Sequence, residues 1–184
     1  NIIMKNFALT VLGLVFAITL SAQESTVMVG GEAMFASKDI VDNAVNSEDH
    51  TTLVAAVKAA ELVKTLKSDG PFTVFAPVND AFENLPSGTV ETLLKPENKK
   101  KLTAVLTYHV VAGKYDAKTI IGAIKKGNGS ATLTTVNGAT LTAMMNGPMN
   151  VVVKDEQGNV ANVITYDVNQ SNGVIHVIDT VLLP

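Results

Sequence analysis

The chain has 184 residues, no Cys and no Arg, and its 14 basic residues are all Lys against 17 Asp and Glu, for a formal charge of −3. Without Cys there is no disulfide framework, so a hydrophobic core must hold the fold unaided. Without the planar, bidentate grip of Arg, and acidic overall, the chain is a poor nucleic-acid binder.

Residues 1–22 read as a secretory signal peptide: Lys5, an apolar run from Phe7 to Leu20, then Ser21-Ala22 before Gln23. Met4 is the expected start, with Asn1 to Ile3 as upstream translation, and cleavage is expected after Ala22. The run is too short for a membrane span, and no lipid-attachment Cys follows it. These features predict a mature chain secreted to the periplasm or the extracellular space, with no transmembrane segment and at most peripheral association with a cell surface.

Residues 23–36 form a short leader, extended around Gly30-Gly31. A short helix should begin at Ser37 or Asp39 with Ile40, Val41, Ala44 and Val45 on one side. After the polar break at Asn46 to Asp49, with Ser47 or Asp49 as cap, Leu53, Ala56, Val57, Ala60 and Val63 recur at helical spacing. Thr73 to Ala76 is β-branched and aromatic, as a buried strand requires. Pro77 stops it, and Asn79 or Asp80 is placed to cap the helix carrying Ala81 and Phe82. Thr89 to Leu94 predicts a short helix, and Pro96 opens the next, with Leu102, Val105, Leu106 and His109 as its buried stripe. Its Lys99-Lys100-Lys101 run reads as a solvated face. Tyr108 to Ala112 should be a strand. Asp116 caps a helix with Ile120, Ile121 and Ile124 inside, closed by Lys125-Lys126 and a left-handed Gly127. Beyond Ser130 the texture is β: a hairpin about Asn137-Gly138, a second about Asp155 to Asn159, and strands at Val174 to Ile178 and Val181 to Leu183. Helices first and strands last predict an α+β fold.

Catalytic signatures are missing. There is no P-loop, G-x-S-x-G elbow, dinucleotide fingerprint or EF-hand loop. The three His (His50, His109, His176) lack a second ligand at metal spacing. His176, between Ile175 and Val177, reads as a hydrogen-bonded core residue. His109, beside Tyr108, is open to a structural role or one in recognition. Asp155-Glu156 reads as a solvated turn whose carboxylates point apart, so no acid–base pair emerges. Neither a cofactor nor a metal is expected.

Three stretches stand in order: Thr73-Val74-Phe75-Ala76-Pro77 through Asn79-Asp80-Ala81-Phe82, Tyr108-His109, and Asn172-Gly173-Val174-Ile175-His176-Val177-Ile178-Asp179 through Val181-Leu182-Leu183-Pro184. Together they resemble the fasciclin (FAS1) domain family, secreted bacterial members in particular, over residues 37–184. The resemblance implies a wedge of two small β-sheets with packed α-helices, and a non-catalytic role in cell adhesion or extracellular matrix contact, with an extracellular protein or glycan as partner. In animal members, residues near the Tyr-His pair and an Asp-Ile pair before the last motif are implicated in receptor binding. Here Tyr108 and His109 match the first, and Asp167 and Val168 occupy the second, with Val for Ile. The alternative the resemblance allows is a soluble carrier of a carotenoid or lipid, with a groove lined by Met144, Met145 and Ile164. A hydrolase, with His109 paired to a Ser and an acid in a cleft, is a third possibility.

Overall fold

The computed structural model describes residues 24–184, so the expected signal peptide (1–22) lies outside the described residues. Two four-residue strands come first, β1 (Thr26–Val29) and β2 (Glu32–Phe35), which pair antiparallel about Gly30-Gly31. The stretch expected to be merely extended is therefore a hairpin, and it sends Val29 and Met34 into the core.

Asp39 caps α1 (Ile40–Ala44) through the Asp42 amide. A single 3₁₀ turn (Glu48–His50) leads into α2 (Thr51–Ala59). The helical pattern predicted from Leu53 to Val63 is broken at Glu61, which sits at φ 58°, and the chain resumes as α3 (Val63–Leu66). Then come β3 (Phe72–Pro77), α4 (Asn79–Glu83) and α5 (Thr89–Leu93). Pro96 opens a 3₁₀ turn that runs into α6 (Lys99–Tyr108), followed by β4 (Val110–Ala112). Tyr108 thus ends a helix rather than starting a strand. Asp116 caps α7 (Ala117–Lys126) as predicted, accepting the Thr119 amide at 2.7 Å. Gly127 is not left-handed (φ −87°); Asn128 and Gly129 are, at φ 54° and 107°. Gly127 is needed for space instead, because a Cβ there would collide with the Ser130 carbonyl.

The last third is β: β5 (Ser130–Thr134), β6 (Thr140–Met145), β7 (Val151–Lys154), β8 (Val160–Gln170) and β9 (Gly173–Ile178). Val181 to Leu183 is irregular, not a strand. The seven-stranded order is β4-β3-β9-β8-β7-β6-β5. Strand β8 serves two sheets. Val160 to Asn162 pair with β7, whereas Val163 to Gln170 pair with β9 across two register shifts. This shared, bulged strand hinges the two sheets into the wedge, since a bulge bends its strand and raises the local twist.

The parallel pair β3–β9 lies between two cores. Residues alternate across a strand with period two, so Val74, Ala76, Ile175 and Val177 enter one core with α1, α2 and the β1–β2 hairpin. Phe75 and Ile178 enter the other, with Tyr108, Ile120, Ile124 and the inner residues of β5 to β7. Both strands are buried throughout β9 and nearly so in β3, which matches their unbroken apolar sequence.

Candidate functional site

Tyr108 and His109 sit at the junction of α6 and β4. Adjacent residues point apart, and each is consumed by the interior. Tyr108 is 0% exposed. Its hydroxyl donates to the Thr140 carbonyl at 2.8 Å and accepts the Glu156 amide at 3.0 Å. Burial raises its pKa. His109 is 3% exposed. The carbonyl of Val105, one helical turn back, faces Nδ1 at 2.8 Å and so must accept its proton. That fixes the tautomer: Nε2 is the acceptor, and it takes the Leu182 amide at 3.0 Å. Burial lowers the His109 pKa to about 4, against a smaller raising effect of the Val105 carbonyl and the Asp155 charge.

Asp155 completes the same arrangement. It is buried, not solvated as the sequence suggested, and its carboxylate accepts the amides of Asn159 (2.8 Å) and Leu183 (3.0 Å). Consecutive amides of the irregular tail, Leu182 and Leu183, are therefore satisfied by side chains instead of a strand ladder. Glu156 accepts from the Thr140 amide and hydroxyl, both at 3.0 Å.

Asp167 and Val168 lie elsewhere, in the irregular part of β8. Asp167 is left-handed (φ 54°) and half-buried. Its carboxylate accepts the Ala117 amide at 2.7 Å, so α7 receives a second acid at its positive end besides Asp116. Its own amide donates to His176 Nδ1 at 3.3 Å, and His176 Nε2 donates to the Tyr115 carbonyl at 2.8 Å. His176 is fully buried, stacked on Phe75 at 5.7 Å, and is the hydrogen-bonded core residue that its sequence position predicted. Val168 is 0% exposed and pairs with Ile175. Among the described residues no hydrogen bond joins the Tyr108–His109 pair to the Asp167–Val168 pair. Tyr108, His109 and Val168 present no side-chain surface, and Asp167 alone of the four reaches it.

Several polar roles were not visible in the sequence. Asn79 does not cap its own helix; it accepts the Thr52 amide at 3.0 Å at the start of α2 and donates to the Glu48 carbonyl at 2.8 Å. Asn43, Gln170 and Asn172 form a buried group in which Asn43 bonds Gln170 and Asn172 accepts the Ile40 amide. His109 bonds no hydroxyl. The one Ser–His hydrogen bond among the described residues is Ser47–His50 at 2.9 Å, and both residues are buried. His50 Nε2 has no partner of good geometry, although the Ala76 carbonyl partly offsets the lowering of its pKa by burial. No group of three or more metal-ligating side chains occurs among the described residues.

An apolar cavity of about 70 Å³ lies between α1, α2, α3, α6 and β3, lined by Leu53, Val57, Leu66, Val74 and Leu106 among others. Met144, Met145 and Ile164, expected to line such a groove, are elsewhere; Ile164 is on the surface at 52% exposure. The most exposed large apolar side chain among the described residues is Met149, 77% exposed, in the loop between β6 and β7. No described helix is long and apolar enough to cross a membrane.

Comparison with known proteins agrees with this architecture. The Fasciclin domain profile matches residues 48–184. Protein sll1483 of Synechocystis sp. is 47% identical over 166 residues, covering 90% of this chain and 84% of its own. Immunogenic protein MPB70 of Mycobacterium bovis is 38% identical over 77% of this chain and 66% of its own, and the cell surface glycolipoprotein MPB83 of the same species is 34% identical over 84% and 64%. Among solved structures, a FAS1 domain pair from the insect cell adhesion molecule Fasciclin I superposes with a TM-score of 0.69 at 21% identity, over 80% of this chain and 51% of that longer chain. With sheet, helices and motif segments in these places, the chain belongs to the fasciclin domain family.

Proposed function

We propose that this chain is a secreted, non-catalytic adhesion module that binds an extracellular protein or glycan and associates peripherally with a cell surface. The observation that carries this reading is its relation to MPB83, a protein named for its place at the cell surface. The local chemistry agrees with it. Tyr108, His109 and Asp155, the groups most able to take part in chemistry, are spent on hydrogen bonds inside the fold. Within the proposed contact region Tyr108, His109 and Val168 act from beneath, by fixing backbone, while Asp167 supplies the charged contact at the surface.

The test is a bead-displayed chain screened against extracellular proteins, glycans and cell envelopes, because single contacts of this kind are weak and display multiplies them. Asp167→Asn keeps an acceptor for the Ala117 amide and removes the charge. Binding that weakens in this variant at an unchanged melting temperature supports the reading. Absence of binding to any surface, together with a pigment or lipid at fixed ratio in the native mass spectrum, overturns it in favour of carriage. The cavity as it stands argues against carriage: at about 70 Å³ it is smaller than the engineered cavity of about 150 Å³ that accepts a single benzene.

A further inference from the structure

The chain contains four Asn-Gly pairs, at Asn128, Asn137, Asn146 and Asn172. In an Asn-Gly pair the glycine nitrogen can attack the asparagine Cγ. The new N–Cγ bond closes a succinimide, the Cγ–Nδ2 bond breaks, and the glycine amide proton is lost to solvent as ammonia departs. Water then opens the ring to aspartate or, by opening at the other carbonyl, to isoaspartate. The step needs a side chain free to turn toward the backbone and a glycine N–H free to be released.

The fold denies one or both at three of the pairs. At Asn128 the Gly129 amide donates to the Ile124 carbonyl at 2.9 Å, as the closing bond of α7. At Asn137 both partners are held. The Gly138 amide donates to the Thr135 carbonyl at 2.9 Å, and the Asn137 side chain accepts the Ala139 amide at 3.0 Å. At Asn172 the side chain is buried and fully engaged, accepting the Ile40 amide and donating to the carbonyls of Leu66 and Ser68. Asn146-Gly147 differs. Both residues are exposed in the loop between β6 and β7, and neither the Asn146 side chain nor the Gly147 amide has a hydrogen-bond partner among the described residues. Only the Asn146 backbone amide is tied, to the Asn150 carbonyl at 2.7 Å. That bond holds the loop closed and leaves the reacting atoms free.

We infer that Asn146-Gly147 is a site of spontaneous deamidation, selected from four equivalent sequence pairs by the hydrogen bonding of the fold. The product is a carboxylate, and in the isoaspartyl form an extra backbone methylene, beside Met145 and the exposed Met149. An uncharged loop becomes an anionic one as the protein ages.

Lysine-specific cleavage releases residues 127–154 as one peptide that carries Asn128, Asn137 and Asn146, so the three are compared within a single molecule. The full chain is held at mildly alkaline pH in heavy-oxygen water, native and in urea, and the label is located by electron-based fragmentation. Isoaspartate is read separately with an isoaspartyl methyltransferase and a labelled methyl donor. In the native chain, label is expected at Asn146, with Asn128 and Asn137 slower by at least about tenfold, because they react only through local opening. In urea the three should converge to within a few-fold. Gly147→Ala should slow the Asn146 reaction without moving the other two. Equal labelling of Asn128 or Asn137 in the native chain overturns the inference. So does a native order that persists in urea, which would assign the selectivity to local sequence rather than to the fold.

Discussion

Acidification should unfold this protein through its histidines before its carboxylates. His109 is the clearest case. It is buried as the neutral tautomer, with Nδ1 donating to Val105 and Nε2 accepting from Leu182. A proton on Nε2 would turn an acceptor into a donor aimed at an N–H. Its pKa falls from 6.5 to about 4 on folding. The unfolded chain therefore binds the proton first as pH drops, and stability present above the unfolded value is lost on the way toward the folded one. Between about pH 7.5 and about pH 5, those two values give a loss on the order of 2 kcal/mol from this residue alone. His50 and His176 are lowered by burial too, so they add in the same direction. Against a total stability of roughly 5–15 kcal/mol this is a large fraction. Urea unfolding across this range measures it, on the natural chain and on His109→Gln. The variant should be less stable at neutral pH and should show a shallower loss on acidification. Identical pH slopes for the two proteins, or stability that rises toward about pH 5, would refute the reasoning.

Other consequences are as direct. Asn79→Ala removes the acceptor for the Thr52 amide and should cost about 1–2 kcal/mol; hydrogen exchange should rise at the start of α2, where the bond is, rather than in α4. Tyr108→Phe strands the Thr140 carbonyl and the Glu156 amide, and a chemical-denaturation loss of about 1–3 kcal/mol is expected. Asp179→Ala takes acceptors from the Asn162 amide and side chain and should cost a similar ~1–3 kcal/mol in the same assay. Gly127→Ala should lower the melting temperature although alanine favours helices, because the Ser130 carbonyl occupies the space of its Cβ.

What could be read from the sequence was what local chemistry decides. Asp116 caps the helix it precedes, and Asn137-Gly138 turns the hairpin it interrupts, because in both cases the partner amide is only a few residues away. Two of the errors share a cause, which is that a distant group supplied the partner. Asn79 lies at the start of its own helix, yet its oxygen serves α2. Val181 to Leu183 has the composition of a strand, but His109 and Asp155 take two of its amides, and no strand lies alongside. Glu61 carries no breaker signal; the Leu62 amide reaches back to the Val57 carbonyl and turns the chain there. For the candidate site, the stripe Leu102, Leu106, His109 already placed His109 inward at helical spacing. The burial of Tyr108 beside it was not legible, because the groups that hold its hydroxyl, the Thr140 carbonyl and the Glu156 amide, lie 32 and 48 residues further along the chain.

These details bear on why a family with so plain a sequence signature need not share a partner. The buried and half-buried polar residues within the signature stretches and beside them do one kind of work. His109, Asp155, Asp167, His176 and Asn172 each accept a backbone amide at a point where regular structure fails: the tail, the bulge of β8, and the starts of α7 and α1. A wedge hinged on one bulged strand leaves such amides without ladder partners, and burying them unpaired would be costly. These side chains are therefore the acceptors this irregular backbone requires. The surface is left to other side chains, among them the half-buried Asp167, the exposed Ile164 and the loop carrying Met149. Substitutions at the buried acceptors His109, Asp155, His176 and Asn172 should lower binding and stability together, whereas Asp167→Asn, which keeps its acceptor for the Ala117 amide, should change binding alone. Substitutions at the exposed positions should change binding alone, and that separation locates a partner surface within a fold that does not itself dictate function.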